Sequence, residues 1–472
     1  MRVTRSVMDF KQVKLQQYLL ALSVSAAVLT TTSVYASEQL STGQAGGVVK
    51  PIAENMLSQL IEAALSNDGI RRQYYAEAQA MRETGKASAT LMDPKLRFGV
   101  TGLPTDSFAF DEDPMTNISV GLMQQFNRGN TAALNDRKAV FQAGGLEVQA
   151  AARELEVINA MTKIWLELGY QQVANRVLLE NRKLMQELES FIQTNYAIGK
   201  SETQDLINAQ LQVTKLDEKI QANEQMQQRL SAQFSEWLGS DWLFNTKSLT
   251  ASNQLNWDTL HDIETTAPHH NYYSQLNQNP VVRMADASID VRRTQVDLAR
   301  QSYTPQFGVE LMYAYRQSND MRGDPASDLI SAYITVDIPL FTGNKQDRNL
   351  AAAQYQVSAA QSQKDTLISQ MNAKVNALLT DKNNLAQRLE RFESTLLPQA
   401  DSRVKATERG YQNNTAQLND VILASRDALA LELEYQRLIT DLNLVNNNLS
   451  ALLNSYSYQV DKPEISIESG QQ

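Results

Sequence analysis

Hydrophobic positions in this chain follow two different periods. Over long stretches the apolar residues recur every three or four positions, as they do from Val148 to Leu168, and this spacing predicts the buried face of a helix. In four shorter segments apolar and polar residues alternate, which predicts strands with one apolar and one polar face. These segments are residues 95–102, 117–126, 306–316 and 329–340. The pattern therefore predicts a mainly helical protein with four amphipathic strands.

The predicted elements occur twice in the same order. Each repeat has a helix, two strands and a long helical hairpin, and Pro398 is expected to kink the second long helix or to open a short gap in it. The segments have these bounds: repeat 51–239 with hairpin 130–239, irregular segment 240–279, repeat 280–456 with hairpin 345–456, and a tail 457–472 that is expected to be disordered.

A short motif repeats at the turn of each predicted hairpin. Its tyrosine, aspartate and alanine are always 215 positions apart in the matched pairs Tyr196 and Tyr411, Asp205 and Asp420, and Ala209 and Ala424. A spacing kept without a slip over this distance indicates a duplicated unit. Gly199 in the first copy and Asn414 in the second tolerate the left-handed backbone that a chain reversal needs. Each copy is therefore predicted to form the tip of a helical hairpin.

The first 36 residues have the features of a secretory signal. Four basic residues precede an apolar run that is short for a membrane span, and Val34-Tyr35-Ala36 provides a small-residue cleavage site. We predict that residues 1–36 are removed and that residues 37–50 form a loose segment; a retained N-terminal anchor is the alternative. Removal of the signal changes the net charge from −10 to about −13. Such an acidic chain does not suit nucleic acid.

The sequence has no catalytic or metal-binding motif. It contains no cysteine and three histidines, His261, His269 and His270, which have no carboxylate-rich motif beside them. Serine-nucleophile and phosphate-binding motifs are absent as well. We therefore expect no enzyme activity, no cofactor and no metal site.

The four predicted strands are about as long as tilted strands that cross a membrane, and no segment after the signal is apolar enough for a transmembrane helix. Four strands cannot close a barrel, and open edges in lipid leave backbone groups unpaired. We therefore predict a trimer with a 12-stranded β-barrel, four strands per chain, continued by a long α-helical coiled-coil barrel. Arg97, Glu310, Arg316 and Asp337 fall on the polar phase of the strands and are predicted to face a water-filled lumen. The alternative is an antiparallel sheet of a soluble domain.

This order of elements, given twice after a signal peptide, resembles that of the TolC-type outer-membrane efflux proteins, the outer membrane factor family. The repeated tip motif is similar to the tip of that family, and residues 338–343 (Ile-Pro-Leu-Phe-Thr-Gly) are similar to its second strand-to-helix join. The resemblance extends from Pro51 to Leu453. It implies a homotrimeric duct in outer-membrane lipid with its helical barrel in the periplasm. It also implies two partners, a periplasmic adaptor protein and an inner-membrane pump, which complete a tripartite efflux pump.

The resemblance assigns roles to residues of the tips. Asp205 and Asp420 match family positions that line the periplasmic entrance and affect its opening, and Tyr196 and Tyr411 belong to the same region. If both aspartates face inward, a trimer places six carboxylates at the entrance, where they repel anions and attract cations. The alternatives are a helix N-terminal role for each aspartate and plain packing for each tyrosine.

The exposed tips are expected to dock the adaptor, and the alternative is a turn shaped only for chain reversal. The residues concerned are Ile198, Gly199, Lys200, Asn413, Asn414 and Thr415. The chain departs from the family pattern at Ala416, where an arginine that pairs with the aspartates is expected, and at Leu423, where a second acid can sit. We therefore expect fewer ionic links across the closed entrance.

Two other functions agree with parts of the sequence. An outer-membrane duct of a type I protein secretion system would have the same architecture. A periplasmic coiled-coil scaffold without a pore would need the helices but would have no use for four strands of membrane length. Residues 103–108 and 113–116 look similar to family members that serve metal-exporting pumps.

Overall fold

The computed structural model describes residues 52–245, 249–266, 271–320, 322–413, 415–456, 458 and 460–465. The predicted signal peptide and the loose segment up to residue 50 lie outside these residues, and so do Asn414, His269 and His270. The contacts of the chain separate Met1–Val49 from Lys50–Gln472, and every element below belongs to the second unit.

The first repeat begins with two helices where the sequence pattern predicted one. The break has a local cause: the Asp68 carboxylate accepts a hydrogen bond of 2.6 Å from the backbone N–H of Arg71 and so caps a new helix. The elements of this repeat are α1 (Ile52–Asn67), α2 (Gly69–Ser88), β1 (Lys95–Thr101), β2 (Asn117–Gln125), α3 (Thr131–Ala197), α4 (Thr203–Gln233) and α5 (Ser235–Leu238). At about 1.5 Å per residue, α3 is about 100 Å long.

The second repeat has the same order, and its long descending helix is interrupted. The elements are α9 (Pro280–Gln301), β3 (Gln306–Tyr315), β4 (Leu329–Asp337), α10 (Gln346–Arg391), a π-helical turn (Phe392–Leu396), α11 (Leu397–Gln412) and α12 (Leu418–Leu453). The turn comes directly before Pro398, which lacks an N–H and crowds the preceding helical turn. Glu393 in this turn accepts a hydrogen bond of 2.6 Å from the hydroxyl of Tyr435 in α12.

The four strands form one antiparallel sheet in the order β1-β2-β3-β4, so the two repeats join at the β2–β3 pair. Each strand ends one to three residues before its predicted end. β1 has seven residues, fewer than the expected ten or so, and β4 stops at Asp337 because Pro339 cannot donate to a strand ladder. Within the described sheet, β1 and β4 are the edge strands and pair on one side only.

One face of this sheet is apolar and open to its surroundings. Phe98, Val120, Tyr313 and Ile330 lie in one row across the four strands, and comparable apolar rows flank it. Phe98 and Ile330 are 71% and 77% exposed. The predicted alternation is therefore present, and no described element covers the apolar face.

The helices pack side by side in the order of the strands to which they connect. The N-terminal half of α3 packs against α2 and α9, and α9 packs against α10. The C-terminal half of α3 packs against α4 and α12, and α12 packs against α11. The edge formed by β1 therefore continues in α2 and α4, and the edge formed by β4 continues in α10 and α11. No helix in the described part of the chain has both the length and the apolar character to cross a membrane.

The described residues of the segment 240–279, which was predicted to be irregular, include three short helices and pack on the long ones. These helices are α6 (Trp242–Asn245), α7 (Asp258–Thr266) and α8 (Tyr273–Leu276). The Gln172 side chain donates to the Leu249 carbonyl and accepts from the Ala251 N–H, at 2.6 and 2.9 Å. The Trp257 indole N–H donates to Asn443 at 2.8 Å. The segment is thus fastened to both α3 and α12.

Val460 and Asp461, in the predicted disordered tail, are held against the first repeat. Arg71 is buried, and its guanidinium donates to the carbonyls of Val460 and Asp461 at 3.2 and 2.7 Å and pairs with Glu154 at 2.5 Å. Val460 also packs on the core that contains Trp165. A buried guanidinium needs acceptors, and this chain segment supplies two of them.

Candidate functional site

The two hairpin tips share one backbone geometry. In the first tip the Lys200 N–H donates to the Asn195 carbonyl at 2.8 Å, and in the second the Thr415 N–H donates to the Gly410 carbonyl at 2.8 Å. These pairs are again 215 positions apart. Gly199 has a φ of +73°, the left-handed backbone predicted for the reversal. The repeated motif therefore closes both hairpins with the same backbone hydrogen bond.

The two aspartates have different environments at equivalent positions. Asp420 is the third residue of α12, and its carboxylate accepts a hydrogen bond of 3.0 Å from the Gln417 N–H in a capping box. Asp205 is the third residue of α4, and no group of the described residues donates a hydrogen bond to its carboxylate. Asp420 thus has the helix N-terminal role given above as an alternative. Asp205 carries a charge near a helix N-terminus without such a bond.

A buried apolar cluster holds the two tips together. It consists of Ile192, Ala209, Leu418 and Ile422, with Leu206 and Tyr411 packed against it. The ring of Tyr411 meets Phe191 edge to face, with centroids 6.3 Å apart. Tyr411 therefore packs between helices, whereas Tyr196 is exposed. The structure brings the predicted site residues of both hairpins to one end of the helices.

The predicted docking residues that the structure describes lie at this end with exposed side chains or backbone. They are Ile198, Gly199, Lys200, Asn413 and Thr415. Of the three histidines, His261 is described and is exposed on α7. Among the described residues, no group of three or more histidines, aspartates and glutamates is arranged to hold a metal ion.

A groove above the tips was missed by the sequence reasoning. It runs over α12 between α3 and α11 and has a volume of about 760 Å³. Apolar side chains, among them Leu184 and Phe191, line it together with four carboxylates: Glu187, Asp401, Glu408 and Glu432. None of the described residues that line the groove is basic. The sequence signal was weak, because these acids lie on three helices and converge only after the hairpins pack.

One part of the chain matches a known protein family. Residues 271–455, which include α8 to α12, match the sequence model of the family described as Outer membrane efflux protein. Sequence comparison with curated proteins gives no match.

Solved structures share the fold over most of the chain. CusC, in a study of folding and transmembrane channel formation, has a TM-score of 0.71 at 16% identity and covers 87% of this chain and 95% of its own. The outer membrane protein VceC from Vibrio cholerae has a TM-score of 0.65 at 16% identity, with 84% and 95% covered. The CmeC outer membrane channel from Campylobacter jejuni has a TM-score of 0.67 at 12% identity, with 86% and 87% covered.

The structural likeness covers both repeats, and the family match covers the second. The mainly helical fold with a small sheet is the fold of these channels, and the family consists of channels rather than enzymes. The predicted location, the cell outer membrane with the helical part in the periplasm, is confirmed with it. The second repeat thus matches the sequence model of outer membrane efflux proteins, and the predicted resemblance of this chain to the TolC-type outer-membrane efflux proteins is confirmed.

Proposed function

We propose that three copies of this chain close into a 12-stranded barrel continued by a helical tube. The trimer is the outer-membrane channel of a tripartite efflux pump and gives substrates a gated path from a periplasmic adaptor and an inner-membrane pump to the exterior. The observation that carries this proposal is the four-stranded sheet, which has two open edges and an uncovered apolar face.

The arrangement of the helices supports closure into a ring. One edge of the chain consists of β1, α2 and α4, and the other consists of β4, α10 and α11. These edges differ, so one copy can join the next only head to tail, and head-to-tail contacts that close give a ring. A ring also pairs the open strand edges, which lipid cannot do. The apolar face of the sheet then meets lipid.

The tips supply the gate of the proposed duct. In a trimer, Asp205 and Asp420 recur three times each at its periplasmic entrance, with Tyr196 and Tyr411 close by. The capping box of Asp420 stiffens the first turn of α12, so this residue acts on opening through the rigidity of the helix as well as through its charge. Asp205 acts through its charge alone.

The adaptor docks at the tips, Ile198 to Lys200 and Asn413 to Thr415, whose described residues are exposed, and along the acidic groove above them. The apolar side chains and carboxylates of that groove suit a helical hairpin with an apolar stripe and basic flanks. A type I secretion duct has the same architecture and differs in its pump. A proton-driven pump that copurifies with the chain supports efflux, and an ATP-driven protein exporter supports secretion.

Conductance in a planar bilayer tests the duct. The purified protein is expected to be a trimer that conducts in discrete steps, and Asp420→Ala is expected to open more often because it loses both a charge and a helix cap. Asp401→Ala is the control, since it removes a carboxylate of α11 that pairs with Lys405 and lies outside the tip. A monomer that stays out of the outer-membrane fraction supports the scaffold alternative. A trimer that never conducts, even with Asp420→Ala, contradicts the gated duct.

A further inference from the structure

Charged residues are rare in the four strands, and all of them lie on the polar face. Lys95 and Asp337 are terminal residues of their strands, next to the helices. Arg97 on β1 and Glu310 on β3 lie inside their strands, away from the ends that face the helices. They are the other two charged residues of the described strands.

Arg97 and Glu310 pair across the strand that separates them. The Arg97 Nη1 lies 3.5 Å from the Glu310 Oε1, and β2 runs between the two residues. Gly121 is directly opposite Arg97 in the β1–β2 register, and a Cβ built on Gly121 would lie 3.4 Å from the Glu310 Oε1. Because Gly121 has no side chain, the side chain of Arg97 can cross β2 to reach Glu310. Lys95 has no such path, because Met123 stands opposite it.

The pair stands out on its face of the sheet. In the next row away from the helices the polar-face residues are Gly99, Ser119, Ala314 and Leu329, and none of them is charged. The side chain of Glu310 is 13% exposed and that of Arg97 is 74% exposed, so the arginine covers the carboxylate and presents its own charge to the open side. Ions that pass along this face meet both charges at one level.

We propose that the Arg97–Glu310 pair sets the ion preference of the strand-lined part of the duct, an inference that rests on the proposed trimeric channel. Three copies place three positive and three negative charges at one level of the lumen, and their sum is zero. With this balance the pair itself favours neither cations nor anions. Removal of one partner leaves three like charges in a ring, which is the kind of element that makes pores selective.

Reversal potentials in a KCl gradient test this role. Glu310→Gln is expected to shift the permeability ratio toward chloride, and Arg97→Gln is expected to shift it toward potassium. Three unit charges about 10 Å from the pore axis, screened at 0.1 M salt, change the permeability ratio by about fivefold in each direction. At 1 M KCl the screening length is about 3 Å, and both shifts are expected to vanish.

The charge swap Arg97→Glu with Glu310→Arg is the matched control, because it keeps the sum of charges and is expected to keep the wild-type reversal potential. The double variant Arg97→Gln with Glu310→Gln is also expected to match the wild type. Conducting channels in which the single variants leave the reversal potential unchanged at 0.1 M KCl overturn the inference, while the duct itself stands. Shifts of the same sign in both single variants overturn it as well. A protein that does not conduct in any variant contradicts the proposed duct instead.

Discussion

The open edges of the sheet give the most direct test of ring closure. About half of the backbone groups of an edge strand point away from its partner, so β1 with seven residues and β4 with nine leave about 16 groups unpaired in each chain. Each unpaired group in lipid costs several kcal/mol, so the open edges of an inserted chain cost tens of kcal/mol. This exceeds the roughly 5–15 kcal/mol that stabilises a whole domain. Insertion therefore requires that β1 of one copy pair with β4 of the next.

Engineered cysteines detect this pairing without background, because the chain contains no cysteine. Phe98→Cys on β1 is combined in turn with a cysteine on the apolar face of β4, at Ile330, Ala332, Ile334 or Val336. A disulfide needs Cβ atoms about 3.8 Å apart, so one or two combinations are expected to give covalent trimers on a non-reducing gel. The control places the second cysteine at Val309 on the interior strand β3 and is expected to give monomers. If all four combinations give only monomers from membranes, the edges do not meet and the reasoning is refuted.

Three further predictions concern the helices. Gly169→Ala places a Cβ against the backbone of the segment 249–257 and is expected to lower the free energy of unfolding by about 1–3 kcal/mol. It is also expected to expose that segment to limited proteolysis. Gly144→Ala is the control, because its Cβ meets open space, and it is expected to have neither effect. Asp420→Ala removes a capping bond worth about 1 kcal/mol, so amide exchange in the first turn of α12 is expected to rise about fivefold, while Asp205→Ala, which removes a charge and no capping bond, is expected to change exchange in the first turn of α4 less. The hydrogen bond to the carboxylate in the π-helical turn raises the pKa of Tyr435 to about 12. Its stabilisation is present below about pH 10 and is lost as the pH rises toward 12, so Tyr435→Phe is expected to flatten the dependence of thermal unfolding on pH in this range.

The strands and hairpins could be predicted because local periodicity encodes them. Alternation identified all four strands, and the spacing of 215 positions identified both tips, since a backbone turn depends mainly on residues close in sequence. The ends of the helices were harder to predict where one side chain determines them. Asp68 starts a new helix by one capping bond, and no change of period marks it. Pro398 was expected to kink the second long helix or to open a short gap in it, and the helix has a π-helical turn just before this residue.

Features that depend on distant residues could not be predicted. The hydrogen bond from the Arg71 guanidinium to the Asp461 carbonyl joins positions 390 residues apart. The segment 240–279 lacks a period of its own because its partners, such as Gln172, lie on other helices. The pairing of Arg97 with Glu310 required the strand order, since the sequence placed both on the polar phase without placing them together. In each case the residue type was visible, and only the tertiary structure supplied its partner.

The duplicated hairpins have kept one backbone and diverged in burial, and the difference points to their neighbours. Ile422 on α12 is 7% exposed because it packs on Ile192 and Ala209 of the first hairpin. Ile207 is its equivalent on α4 and is 58% exposed. If the two repeats have equivalent surroundings, a second hairpin must pack against the exposed face of α4. Within one chain the second hairpin packs on the other side of the first hairpin, against α3. The next copy in the proposed ring supplies it, with α11 beside α4. The exposed face of α4 is therefore explained by the same head-to-tail contact that pairs β1 with β4.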